Sequence, residues 1–253
     1  MKIPKFIYIT SVFIFGLTLL SCGSKTPSSQ KQVNTTVDSN YVMSAAYGTD
    51  DSLYQMLGKY REEKNKKMHA VLTTTKVGFT KERPSSNLTN LMADICVESV
   101  PKLNTQKVDF GLVNFGGIRS SIPKGKVRLE DAYKLMPFDN ELCLLKIKGD
   151  SVQSMIHYIR KREGEPISGM QLVFENETIK SAKINGKTFN NKMDYWLVTS
   201  DYLANGGDRM IFLSNPISRI DLGVKYRDVI IDYFEEKDVI ISNTEQRIIY
   251  GNK

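Results

Sequence analysis

Residues 108–140 read VDFGLVNFGGIRSSIPKGKVRLEDAYKLMPFDN, and the rest of the chain is organised around them. A short apolar strand is expected from Val108 to Val113. The chain then turns through Asn114-Phe115-Gly116-Gly117-Ile118-Arg119. Paired glycines permit positive φ and let another group approach the main chain closely. An arginine just after such a turn is a natural anion hook, because its planar fork holds a phosphate or carboxylate by two bonds. Further on, Pro137-Phe138-Asp139-Asn140 puts an aromatic ring beside an amide. Together they suit a ligand with an anionic end and a flat end. Spacing alone also fits, and favours, a βαβ-like core segment with a surface Arg119 and a core Phe138.

Toward the C-terminus, Glu141 to Lys148 reads as a strand. A helix capped by Asp150 or Ser151 follows, with Val152, Met155, Ile156 and Ile159 inward. Ser168-Gly169-Met170 turns into a strand running through Phe174. Ile179 to Asn190 reads as a hairpin around Asn185-Gly186. Tyr195 to Ser200 is a strand that ends in Asp201-Tyr202-Leu203-Ala204-Asn205-Gly206-Gly207-Asp208. A ring and a carboxylate across a glycine turn suit a nucleoside. An ordinary turn with Tyr202 in the core fits equally. Tyr226 to Glu236 is a helix.

Toward the N-terminus, Ser85 or Ser86 caps a helix with Leu88, Leu91, Met92, Ile95 and Val100 on its core face. Residues 69–80 have strand character, from Val71 to Val77. Asp50 to Lys67 reads as an amphipathic helix with Leu53, Met56, Leu57 and Tyr60 on one face. Residues 22–40 hold too little apolar surface to order themselves and read as a tether. Lys2 and Lys5 precede an apolar run from Phe6 to Leu20, the pattern of a secretory signal at 1–21. The run is short for a spanning helix, which needs roughly 20 apolar residues. The folded part is then 41–253, sized for one domain. The mixture of strands, hairpins and helices is α+β, a mixed β-sheet with flanking helices, rather than a Rossmann alternation.

The formal charge of +7, less the two lysines of residues 1–21, leaves about +5. Apart from Lys64, Lys66 and Lys67 the excess is spread out, a mild attraction for anions and not a nucleic-acid footprint. Cys96 and Cys143 sit among apolar residues; an exported protein could join them, or both could be buried free thiols. Histidine is the informative absence. Only His69 and His157 occur, whereas a dinuclear metallophosphatase site needs several His and Asp/Glu ligands converging. Neither Asp-x-His nor Gly-Asn-His-Glu is present, and there is no Gly-x-Ser-x-Gly elbow or P-loop.

Asn114-x-Gly-Gly-Ile-Arg119, Pro137-Phe138-x-Asn140, Ser168-Gly169-Met170 and Asp201-Tyr202-Leu203-Ala204-x-Gly-Gly-Asp208 occur in order. With Arg83-Pro84-Ser85-Ser86-Asn87-Leu88-Thr89-Asn90-Leu91 they resemble the C-terminal, substrate-binding domain of bacterial 5′-nucleotidases and UDP-sugar hydrolases. The resemblance covers about residues 41–251. It implies a nucleoside held between the rings of Phe138 and Tyr202, where phenylalanine is frequent at the second position. Asn140 would contact the base edge, Gly169 would lie against the base, and Asp208 would take the ribose hydroxyls. Arg83 and Arg119 would hold phosphate, with Asn114 beside Arg119. A glutamate usually follows the Arg-Pro of the first motif, and Ser85 stands there.

Leu19-Leu20-Ser21-Cys22 resembles the bacterial lipobox. It implies lipidation at Cys22 and an exported protein anchored through the lipid to a membrane, on its periplasmic or cell-surface side. Family members normally carry an N-terminal metallophosphatase domain with two metal ions and the catalytic histidine. Here a signal and a tether precede the domain. The resemblance therefore implies a substrate-binding half that holds no cofactor itself. It would serve hydrolysis with a separately encoded metallophosphatase carrying divalent metals. The alternative is a nucleotide- or nucleoside-binding lipoprotein without a catalytic role.

Overall fold

The computed structural model describes residues 51–176 and 178–251. The expected signal at 1–21, Cys22, the tether and residues 41–50 lie outside them. Residues from Ser52 onward form one unit. None of its described helices is long and apolar enough to cross a membrane.

Helix α1 (Asp51–Met68) lies where the sequence predicts one, but Met56, Leu57 and Tyr60 of its expected apolar stripe are not part of the core. Met56 and Tyr60 are 71% and 68% exposed. A 3.6-residue apolar period fixes a stripe and not a partner. Strand β1 (Val71–Thr75) stops short of the expected 69–80. Past it, Phe79 makes a single bridge to Ile122. Helix α2 (Asn87–Leu103) is capped by Ser86, not Ser85. The Thr89 N–H donates to Ser86 Oγ and the Ser86 N–H donates to Thr89 Oγ1, a reciprocal box closed by threonine instead of glutamate.

Then come β2 (Phe110–Leu112), β3 (Gly125–Arg128), α3 (Leu129–Leu135), β4 (Glu141–Lys148) and α4 (Gly149–Lys161). Neither Asp150 nor Ser151 caps α4. The helix starts at Gly149, packed directly on the Asn191 backbone, with Lys148 at its cap making no side-chain bond. Strands β5 (Ile167–Ser168), β6 (Met170–Glu175), β7 (Thr178–Ile184) and β8 (Lys187–Thr188) follow. Asn185 and Gly186 turn β7 into β8 with φ of 48° and 75°, the left-handed pair that a tight hairpin requires. The remaining elements are β9 (Asp194–Ser200), α5 (Asp201–Ala204), β10 (Ser218–Lys225), α6 (Tyr226–Glu235), β11 (Val239–Ile240) and β12 (Ile248–Tyr250).

The central sheet has the order β10-β4-β9-β2-β5, flanked by sheets β11-β1-β3 and β12-β6-β7-β8. It is mixed: β2 runs parallel to β9, and the other pairs are antiparallel. This is the α+β class expected. Strand β4 carries an unbroken apolar run, Leu142 to Leu145, because both its faces are buried there. Leu142 and Leu144 join one core with α2 and α6. Cys143, Leu145 and Ile147 join a second core with α4 and β6.

Cys96 lies in the first core and Cys143 in the second, and both are free. Burial pushes the Cys143 thiol up to about 12 and the Cys96 thiol higher still. Since the thiolate is the reactive form, neither is expected to react with an alkylating reagent at pH 8 in the native protein. Peptide mass analysis before and after unfolding in urea checks this, and modification should appear only after unfolding.

Candidate functional site

The register of the central sheet gathers three turns at one end. Strands β2 and β9 are parallel, so the turns after Val113 and after Ser200 leave the same edge. Strand β4 is antiparallel to β9, with Leu142 opposite Ser200, so the loop before Glu141 enters there too. The Glu141 N–H donates to Asp201 Oδ1 at 3.1 Å, tying two of the turns together. Phe138 and Tyr202 are 40% and 42% exposed. Neither is a core residue, which removes the packing explanation for both rings.

The loop carrying Phe138 is held from behind by the start of α6. Arg227 donates to Asp139 Oδ1 at 2.5 Å and to the Phe138 carbonyl at 3.3 Å, and the Tyr226 N–H donates to the Asn140 carbonyl at 2.9 Å. Lys225 stands 3.2 Å from Asp139. Hydrogen bonds from Arg227 and then Lys225 hold the Asp139 carboxyl below its usual range. The Asn140 side chain makes no hydrogen bond to the described residues. Arg119 is exposed, with its guanidinium carbon 5.9 Å from the Phe138 ring centroid. It also donates to the Gly116 carbonyl at 3.4 Å.

Asp208 links the other two turns. Its Oδ2 accepts from the Asn114 amide at 2.6 Å and its Oδ1 from the Tyr202 hydroxyl at 2.9 Å. The same hydroxyl accepts from the Asp208 N–H at 3.1 Å. Tyr158 donates to the Asp208 carbonyl at 2.8 Å from α4. These bonds hold Asp208 at φ 51°, a left-handed conformation that aspartate adopts more readily than most residues. The glycines here work mainly by space. A Cβ on Gly207 would stand 2.5 Å from the Tyr202 ring and carbonyl, and one on Gly117 would stand 2.6 Å from Asn114 Oδ1. Neither Gly116 nor Gly117 has positive φ; at Gly117 close approach, not backbone conformation, demands glycine, whereas a Cβ on Gly116 would stand an ordinary 3.7 Å from Asn114 and Asp208.

Beside this cluster lies a cationic one built around Phe115. Arg83 and Lys81 sit over its ring, 4.0 and 4.4 Å from the centroid. The Phe115 N–H donates to Glu165 Oε2 at 2.6 Å. Glu165 Oε1 lies 3.5 Å from both Arg83 and Arg162. Burial raises the Glu165 carboxyl above its usual range, opposed by the Phe115 N–H and then by Arg83 and Arg162. Arg83 also donates to the carbonyls of Arg162 and Gly164.

Of the residues the sequence singles out, Asn114, Arg119, Phe138, Asn140, Tyr202 and Asp208 share one end of the sheet, and Arg83 adjoins them. Gly169 does not. Ser168 pairs with Gly111, so Gly169 falls beside Asp109 and Phe110 at the opposite end of β2. A Cβ there would stand 2.7 Å from the Asp109 carbonyl, so its glycine answers to packing and to a φ of 75°. Sequence reasoning passes over Lys81, Tyr158 and Glu165. The i, i+2 spacing of Lys81 and Arg83 in an extended segment puts both on one face, a usable signal. Glu165 has a local partner in Arg162, three residues before it, but its link to Arg83 is remote in sequence and leaves no local signal.

Residues 70–215 match the family model described as "5'-nucleotidase, C-terminal domain". The chain belongs to this family. A 5′-nucleotidase C-terminal domain accounts for the order of the motifs, and the solved structures agree on the fold. A 5′-nucleotidase precursor from Thermus thermophilus superposes with a TM-score of 0.70 over 81% of this chain and 44% of its own, at 24% identity. Protein UshA of Yersinia enterocolitica is 26% identical over 133 residues, covering 51% of this chain and 24% of UshA. A 5′-nucleotidase of Vibrio vulnificus is 23% identical over 204 residues, 77% of this chain and 36% of the relative. The chain thus spans about a quarter to a little over a third of these curated relatives. Among the described residues no group of three or more His, Cys, Asp or Glu side chains could hold a metal ion.

Proposed function

We propose that this chain is the nucleotide-binding half of a 5′-nucleotidase-type phosphohydrolase. The observation that carries the reading is the pair of part-exposed rings, Phe138 and Tyr202, at the sheet end that also holds Arg119 and Asp208. The rings take the base by stacking, which tolerates different bases. Asn140 meets the base edge, and Asp208 accepts from the ribose hydroxyls. Arg119 holds the phosphate, with Asn114 fixing the turn that presents it. Binding of this kind orients a phosphate ester for attack.

The attack itself belongs to a separately encoded metallophosphatase chain, which would carry the divalent metals. Cys22 anchors this chain to the membrane through lipid, on the exported side. Crosslinking in the native cell envelope, followed by isolation of the complex, tests the assignment. The complex is expected to release phosphate from AMP in a metal-dependent way, and Arg119→Ala is expected to abolish that release. Failure to recover a metallophosphatase, together with AMP binding by the chain alone, supports the other reading, a binding lipoprotein without a catalytic role.

A further inference from the structure

We infer that Lys81 grips the phosphate together with Arg119, and that Arg83 is the scaffold that aims them. This rests on the nucleotide reading above and specifies its anionic end. Arg83 is already committed. One terminal nitrogen donates to the carbonyls of Arg162 and Gly164, the other faces Glu165 at 3.5 Å, and the plane stacks 4.0 Å from the Phe115 ring centroid. Turning that fork toward a ligand would strip Glu165, whose side chain is only 2% exposed, of a charge partner.

Lys81 is placed differently. Its ammonium donates to the Ile118 carbonyl at 2.6 Å and to the Phe115 carbonyl at 3.3 Å. An ammonium has three donors, so one remains. Both accepting carbonyls belong to the turn that ends in Arg119, so the lysine is tied to the anion hook itself. The charge felt by Lys81 is unbalanced: Arg119 and Arg83 act on it against the carboxylate of Glu165, which is itself paired with Arg83 and Arg162. Burial and then the nearby charges of Arg119 and Arg83 lower the Lys81 pKa, with Glu165 opposing. Cations held together against repulsion match an anion of more than one charge. The chemical class is a phosphate ester dianion, held by a bidentate fork on one side and a compact point charge on the other.

The experiment compares AMP with adenosine as probes on the whole chain. The wild type is expected to prefer AMP, and Lys81→Met is expected to reduce that preference by about tenfold or more, the scale of one charge-assisted hydrogen bond. Lys81→Arg should restore part of it. A preference unchanged in Lys81→Met overturns the inference. Wild-type protein that binds neither probe defeats the nucleotide reading, and this inference with it. Should Lys81→Met not fold, amine acylation of the wild type decides. Peptide mass mapping is then expected to show Lys81 protected by AMP and not by adenosine, and equal labelling with both overturns the inference.

Discussion

Glu165→Ala is expected to lower stability by about 3 kcal/mol, the low end of the range for breaking a buried ion pair. The low end applies because Arg83 keeps 24% of its side chain in solvent, while Glu165 keeps 2%. The substitution also leaves the Phe115 N–H without its acceptor and frees the Asn114–Arg119 turn on one side. A domain of this size holds only about 5–15 kcal/mol in total, so the loss should be plain as a lower urea midpoint. Glu165→Gln separates charge from packing. Burial outweighs the attraction of Arg83 and raises the Glu165 pKa. The stability linked to its protonation is therefore full below the ordinary glutamate range and is lost as pH rises through the raised value. Urea unfolding across pH should show that segment of the curve in the parent and a flatter one in Glu165→Gln.

Asp208→Ala is expected to weaken AMP binding by about 10- to 150-fold, the 1.5–3 kcal/mol of hydrogen bonds to a charged group. It should also erase discrimination between AMP and its 2′,3′-dideoxy analogue. In the free site Asp208 already accepts from Asn114 and Tyr202, one on each oxygen. An ionised carboxylate has about four acceptor positions, so sugar hydroxyls can use the remaining two without breaking either bond. The carboxylate is thus fixed before the ligand arrives, and fixing a group in advance lowers the cost of binding. Titration of both ligands against parent and variant checks this. Equal discrimination in the two proteins would move the ribose contact elsewhere.

The turns are legible in the sequence because their chemistry is local. Asn185-Gly186 and Gly206-Gly207 announce themselves through residues that tolerate special backbone or close approach. The long helix α2 is legible down to its capping serine, within one residue. The partner of an apolar face is not. Helix α1 shows the same kind of stripe as α2, yet Met56 and Tyr60 stand in solvent. The sequence reading passes over strand β10 although its alternation is regular: Ile220, Leu222 and Val224 pack on the first core, with Arg219, Asp221 and Gly223 between them on the exposed face. Its pairing is what is irregular, with Gly223 at φ 65° and a register shift between Asp221 and Lys225. Motif order gives proximity in sequence and not position in the sheet: the antiparallel pairing of β5 with β2 carries Gly169 to the far end of the strand. The Arg83–Glu165 pair joins elements distant in sequence, and nothing local to either residue points at the other.

Calorimetric titration of the purified protein with AMP, beside Phe138→Ala, tests the clamp most directly. Phe138 is 40% exposed and its backbone is fixed by Arg227 and Tyr226 through the loop, so removing the ring should leave the fold intact. Stacking on an aromatic is worth roughly 1–3 kcal/mol per base. The parent is expected to bind AMP and the variant to bind it about 5- to 150-fold more weakly. A parent that binds no AMP, or a variant that binds it equally well, would contradict a nucleoside clamp at this end of the sheet.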